Sequence, residues 1–447
     1  MRQQRIRGGR RGAALAGATA AALALTMTAS TGRLLDASPT AAGPVAPTRA
    51  ISLEPCMIRG AMGVQMSEGL PTSSGYARST GTVRALNLMI DFPDAPGEGT
   101  AMHRFREFFP KTQNWFRTGS YGRLTYLPEA PVKHWLRMPK AFSAYGIERG
   151  APFEPGYREL VDDIVAAADP DVDFGRYDLA NILVTPNAGP SALDTVLSVT
   201  FAGNREAPVA DGLPLSNASF VYSRQDDGSG SYAETGYRVL PHENGHVFGL
   251  PDLYTQDGGG AVGHWDIMSE DWGVGNDLLG WHKWKLGWLD DARIGCAARS
   301  GTTEHLLSPL SRDDGGAGTD TATGTGAGSS GPKSSGSGTR LVFVPLTAKT
   351  GYAIEVRTQE GNDEAVCRPG VLIYKVDADV DTGRGPITVK DSTPDSGGCT
   401  RRPNVHAELS DATYRVGEVF KDRRAGVRVS VASVDSSGNY RVYVTRR

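Results

Sequence analysis

Residues 239–254 read Val-Leu-Pro-His-Glu-Asn-Gly-His-Val-Phe-Gly-Leu-Pro-Asp-Leu-Tyr. The centre of this stretch is His242-Glu243-x-x-His246. Positions four apart share one face of a helix, so both imidazoles can reach a single metal ion. Glu243, one residue on, points to the rim of that face, where an attacking water belongs. The spacing continues as His246-x-x-Gly249-x-x-Asp252. Gly249 can take the positive φ that ends a helix and turns the chain, which swings Asp252 back as a third, oxygen ligand. Two imidazoles, one carboxylate and an open corner are the donor set of a catalytic zinc site, whereas structural zinc sites are closed. His264, Glu270 and His282 are rival third ligands downstream, and the spacing favours Asp252.

Working outward, residues 263–269 read Gly-His-Trp-Asp-Ile-Met-Ser. An isolated Met is usually a core residue, but the order of the two motifs argues for Met268 as an apolar floor beneath the imidazoles. Residues 278–286 form a short helix candidate with Gly287 as its stop. Trp281, Trp284 and Trp288 are spaced to pack into a core. Tyr254, His264 and His282 are candidate oxyanion stabilisers. Two residues sit oddly in the central helix. Pro241 requires the helix to start there or to bend, and Asn244 is polar where such helices often carry an apolar side chain.

Upstream, residues 83–91, 181–185, 196–201 and 218–223 are strand-like, while 104–116 and 157–168 have helical spacing. Strands and helices interleave up to about residue 225, so an α+β layer is expected. Asp169, Asp171 and Asp173 look superficially like a calcium loop, but Gly175 is one position late for an EF-hand and the twelfth position is not Glu. A helix-ending turn is the better reading. Downstream, residues 305–310, 340–346, 352–357, 370–376, 427–434 and 440–445 are strand-like with turn signals between them, so residues 296–447 read as a β-rich, sandwich-like C-terminal domain. Residues 311–339 inside it are almost wholly Gly, Ser, Thr, Asp and Ala, a composition that cannot bury enough to order itself.

Residues 1–30 have five Arg and no acid before an Ala-rich apolar run and small residues, the pattern of a signal peptide. Residues 31–80 read as a flexible leader or prosegment, and residues 81–295 as the catalytic domain. Secretion permits disulfides. The four cysteines allow three pairings, of which Cys56–Cys296 with Cys367–Cys399 is the expected one. A thiol of Cys56 capping the zinc in a latent form is the rival reading. The 447 residues contain 47 Lys plus Arg against 50 Asp plus Glu, a net charge of −3, which lacks the basic footprint of a nucleic-acid binder. No run is long enough for stable membrane insertion. Only ten of the basic residues are Lys, a bias that suggests a GC-rich bacterial genome. A monomer is the default.

The motif run resembles the M6 family of secreted bacterial metallopeptidases, the immune inhibitor A group. The likeness rests on residues 242–254, on Trp265-Asp266-Ile267-Met268, and on Lys283, Gly287 and Trp288. Asp91-Phe92-Pro93-Asp94, Ser120-Tyr121-Gly122, residues 352–357 and residues 370–376 are similar to the family's outer landmarks. The resemblance implies a metzincin-like fold with a Met-turn, zinc held by His242, His246 and Asp252, Glu243 as general base, structural calcium at sites not assignable here, and protein or peptide substrates outside the cell. The alternative is a secreted binding protein with a degenerate or structural metal site, whose β-rich tail carries recognition.

Overall fold

The computed structural model describes residues 52–148, 150–188, 198–222, 236–255, 260–271, 275–312, 338–399 and 407–447. The expected signal peptide (1–30) and most of the Gly/Ser-rich insertion (313–337) lie outside them. The fold is mixed α+β, with several sheets and few helices.

The first sheet starts from Gly81–Asp91 (β1), whose later residues are all buried. Two short helices follow, Ala101–Phe108 (α1) and Lys111–Gly119 (α2). They replace the single helix expected over 104–116, because Pro110 cannot donate the hydrogen bond that would join them. Next come Leu124–Glu129 (β2), Leu136–Arg137 (β3), Arg158–Ala168 (α3) and Leu179–Val184 (β4). Asp169 and Asp171 turn back onto the last turn of α3. Val199–Phe201 (β5) is followed by a small hairpin, Val209–Ala210 (β6) with Leu213–Pro214 (β7), and then by Ala218–Val221 (β8). The sheet order is β2-β1-β4-β8-β5, with β3 extending the β1 edge. All its pairs are parallel except β5 with β8. Both faces of this sheet are covered, which suits its near-continuous apolar strands. One face packs on α3 with Leu160 and Ile164. The other meets the helix Gly236–Val247 (α4) through Val239, Leu240 and Val247.

After α4 come the helix Gly280–Lys285 (α5), a short 3-10 turn at Asp291–Arg293 and then, among the described residues, strands. Ile294–Cys296 (β9), Gly301–Leu307 (β10), Leu341–Pro345 (β11), Thr350–Arg357 (β12), Gly370–Asp377 (β13), Ile387–Val389 (β14), Val419–Asp422 (β15), Val427–Val434 (β16) and Tyr440–Arg446 (β17) form two sheets. Their orders are β14-β13-β12-β11-β9 and β10-β17-β16-β15. The alternation of β11 explains their stacking. Val342 and Val344 enter a core shared with Val429, Val442 and Val444 of the second sheet, while Leu341 and Phe343 enter the core that holds Trp281 and Met268. That larger core takes residues from Cys56 to Ala412, so it runs across the boundary expected near residue 295. Trp281 stacks on Phe343 with ring centroids 4.7 Å apart, and Trp284 and Trp288 are buried with it.

The expected flexible leader differs from what is found over 52–80. Cys56 is disulfide-bonded to Cys296, and Ile58, Glu68 and Leu70 are buried. Trp281 Nε1 donates to Glu68 O at 3.2 Å and Lys285 Nζ to Gly69 O at 2.6 Å. Its Ala, Pro and Gly content is a poor guide because a few anchors and one covalent bond order it, with a single short 3-10 turn at Glu54–Cys56. The second pair, Cys367 with Cys399, is also as expected. With Cys56 in a disulfide, its reading as a zinc-capping thiol has no support.

Candidate metal centre

Helix α4 carries His242, Glu243 and His246, all buried. Pro241 lies inside the helix, not at its start. It cannot bond the carbonyl of Tyr237 four residues earlier, and Thr112 Oγ1 of α2 donates to that carbonyl instead, at 3.3 Å. The helix ends on Gly249 at φ 89°, where Leu250 N reaches Gly245 O at 2.9 Å. A Cβ on Gly249 would meet Thr72 and Tyr76, so glycine is needed there for space as well as for φ. The turn brings Asp252 back over the helix face.

Asp252 Oδ1 lies 3.2 Å from His242 Nε2 and 3.1 Å from His246 Nε2. Each imidazole is pinned from behind: His242 Nδ1 bonds Ile267 O and His246 Nδ1 bonds Leu250 O, both at 2.8 Å. A carbonyl only accepts, so each Nδ1 carries the proton, and in the neutral ring each Nε2 presents a lone pair. Two lone pairs and a carboxylate oxygen thus face one another, and Asp252 Oδ1, buried, makes no standard hydrogen bond. Only a cation between them, a proton or a metal, relieves this arrangement. Tetrahedral zinc with ~2.0 Å bonds has ligand–ligand edges of about 3.3 Å, close to the spacing found. Among the described residues this is the only group of three or more His, Cys, Asp or Glu side chains whose ligand atoms converge.

The charges follow the geometry. Burial pushes the His242 imidazole down, but its close contact with Asp252 and the nearby Asp271, Asp252 and Glu243 charges outweigh that and raise it to about 10. His246 is raised for similar reasons. Burial opposes ionisation of Asp252, yet the two imidazoles hold its carboxyl well below the usual range. Burial lifts Glu243 above the ordinary carboxylate value, with the two histidines and a hydrogen bond from Thr200 pulling the other way.

Met268 lies beneath the helix. A Cβ on Gly245 would collide with its Sδ, so the glycine admits the thioether. Leu253 N donates to Met268 O at 2.9 Å, which ties the ligand loop to this turn. The turn is braced by Asp266, whose Oδ1 accepts from Met268 N at 2.8 Å and whose Oδ2 accepts from Leu279 N at 2.7 Å.

The rival ligands are occupied elsewhere. His282 is fully buried between Asp266 Oδ2 at 2.8 Å and Glu68 Oε1 at 3.0 Å, and His264 Nδ1 pairs with Glu270 Oε2 at 2.6 Å. Of the three oxyanion candidates, Tyr254 lies beside the cluster, its ring parallel to that of His242 with centroids 6.4 Å apart.

Two threonines enter the site unannounced by any motif. Thr382, in the loop after β13, accepts from Asp252 N at 2.9 Å and donates to Asp252 Oδ2 at 3.2 Å. Thr200 of β5 donates to Glu243 Oε2 at 2.7 Å. Each is a lone Thr far away in the chain, so only the strand order and the loop path reveal it. No protein-family model matches this chain, and no curated protein does.

Proposed function

We propose that the chain is a secreted bacterial zinc endopeptidase of the M6, immune inhibitor A-like type, with a metzincin-like catalytic region. The observation that carries the reading is the convergence of His242 Nε2, His246 Nε2 and Asp252 Oδ1 beside Glu243, with both Nδ1 protons held by carbonyls. His242, His246 and Asp252 would hold the ion. When bound, zinc supplies Lewis acidity, which lowers the pKa of water toward ~7 and polarises a carbonyl. Glu243 takes the proton of the attacking water and delivers it to the leaving amine. Its burial suits the first of these steps, because a carboxylate with a raised pKa is the stronger base and takes a proton more readily. Tyr254, whose ring lies parallel to that of His242, would serve as the oxyanion stabiliser. The substrates are proteins or peptides. Among the described residues no helix is long and apolar enough to cross a membrane.

Casein zymography with and without a zinc chelator tests this. The wild type should clear casein, lose that activity with chelator and regain it with added zinc. Glu243→Gln should retain zinc and clear nothing, a loss on the order of 10²–10⁴-fold for a general base. Clearing by Glu243→Gln at the wild-type rate would show that the base is misassigned.

A further inference from the structure

We propose that Thr200 is a positioning residue: its hydroxyl holds Oε2 of Glu243 against a buried hydrogen-bonded polar row of the sheet, leaving Oε1 to move the proton. The proposal rests on Glu243 being the general base.

The sheet register puts one polar row across otherwise apolar strands. Asn87 of β1 pairs with Asn181 of β4, Asn181 with Ser219 of β8, and Ser219 with Thr200 of β5. Asn87, Asn181 and Ser219 are completely buried. A buried polar group without a partner forfeits its hydration for nothing, so a row of them persists only if its members satisfy one another. They do, and Tyr126 and Asn244 complete the set.

The direction of the chain can be read from its far end. Asn87 Nδ2 donates to Ala85 O at 2.9 Å and Glu129 O at 3.2 Å. Carbonyls only accept, so the amide cannot be flipped, and Asn87 Oδ1 must receive Asn181 Nδ2, at 2.9 Å. Asn181 Nδ2 also donates to Tyr126 Oη at 2.8 Å, and that hydroxyl donates to Asn244 Oδ1 at 2.7 Å. Asn181 Oδ1 accepts from Asn244 Nδ2 at 2.9 Å, whose other N–H reaches Ser219 Oγ at 3.1 Å. Ser219 Oγ is in turn within reach of the Thr200 hydroxyl, 2.9 Å away.

Thr200 Oγ1 has one hydrogen and three neighbours: Ser219 Oγ, Glu243 O at 3.0 Å and Glu243 Oε2 at 2.7 Å. The carboxylate oxygen is nearest and charged, so it takes the hydrogen. The Thr200 hydroxyl thus joins the Glu243 carboxylate to the buried polar row through Ser219. The network also grips α4 at successive residues, Asn244 by its side chain and Glu243 by its carboxylate. This gives Asn244 a purpose: the polar side chain that is odd for such a helix ties α4 to the polar row of the sheet through Asn181, Ser219 and Tyr126. Small displacements of a catalytic group can cost ~10²-fold, which is the scale on which such a grip matters.

The test is steady-state hydrolysis of a fluorogenic peptide by the full chain, with zinc content and melting temperature measured on each variant. Thr200→Val is nearly isosteric and removes only the hydroxyl. It should lower kcat about 10–100-fold with KM and zinc content unchanged, and Thr200→Ser should recover most of the loss. Ser219→Ala, one link back, should lower kcat about 3–10-fold by the same reasoning, and it serves as the second variant if Thr200→Val folds poorly. Wild-type kcat in Thr200→Val, beside an inactive Glu243→Gln, overturns the proposal and leaves the general base in place. Loss of zinc, or an equal loss in Thr200→Ser, makes Thr200 a structural residue and overturns it too. A wild type without chelator-sensitive hydrolysis removes the reading of the site itself.

Discussion

Two buried histidine–carboxylate clusters lie on either side of the Met268 turn, and they solve the same electrostatic problem differently. In the cluster of His242, His246 and Asp252, each Nδ1 proton goes to a neutral backbone carbonyl, and both Nε2 atoms converge on one oxygen. In the cluster of Glu68, His282 and Asp266, both ring nitrogens face carboxylates. The second cluster is completed by an imidazolium. Burial pushes His282 down, but the Asp266 and Glu68 charges raise it to about 10. The first has two rings competing for one carboxylate oxygen, and it is the site proposed to hold a shared cation. The partner of the second nitrogen thus separates a metal-type site from a structural tie, although both consist of the same residue types.

Substitution of the two histidines should separate these roles most sharply. His246→Ala should lose zinc and activity to background while the fold survives, as checked by atomic absorption and circular dichroism. His282→Ala should do the reverse at first order. It leaves Glu68 and Asp266 buried without their cation, a loss of about 3–5 kcal/mol seen as a lower denaturant midpoint. Comparable zinc loss in both variants would erase the distinction.

The next contrast is in pH. His282 is raised from an ordinary value near ~6.5 to about 10. Its contribution to stability is therefore complete below about 6.5 and disappears as pH rises through about 10, a change of a few kcal/mol at ~1.4 kcal/mol per unit. Thermal melts from pH 7 to 10 should fall, and His282→Gln should flatten that slope. The metal cluster runs the other way. Protons and zinc compete for the Nε2 atoms of His242 and His246, both raised, so zinc affinity should weaken as pH falls and zinc uptake at neutral pH should release protons. Calorimetry in buffers of different ionisation enthalpy measures that release.

A smaller effect is expected at Thr382, which holds Asp252 from the β-rich side. Thr382→Val should weaken zinc binding about 10–100-fold, and Thr382→Ser should restore it, as read by chelator competition. Unchanged affinity would remove the β-rich region from the metal site.

What could be read in advance follows from which contacts are local. His242, Glu243, His246 and Asp252 lie within eleven residues, so helix periodicity and one glycine turn suffice to bring them together. The long β-branched strands β1, β12, β13 and β16 were legible for the same reason. Thr200 and Thr382 act through strand order and a distant loop, which no spacing encodes. Strand β2 contains Pro128, which argues against a strand in the sequence; it sits at the sheet edge, where Pro is tolerated. Glu68 was hidden in a stretch whose composition reads as a leader, because its order comes from the disulfide at Cys56 and from hydrogen bonds to α5.

The most direct test is zinc analysis with X-ray absorption on the purified protein. The account predicts one zinc per chain, coordinated by nitrogen and oxygen at ~2.0–2.2 Å, with the imidazole signal lost in His246→Ala. A protein that binds no zinc at neutral pH, or that holds it equally well without His246, would contradict it.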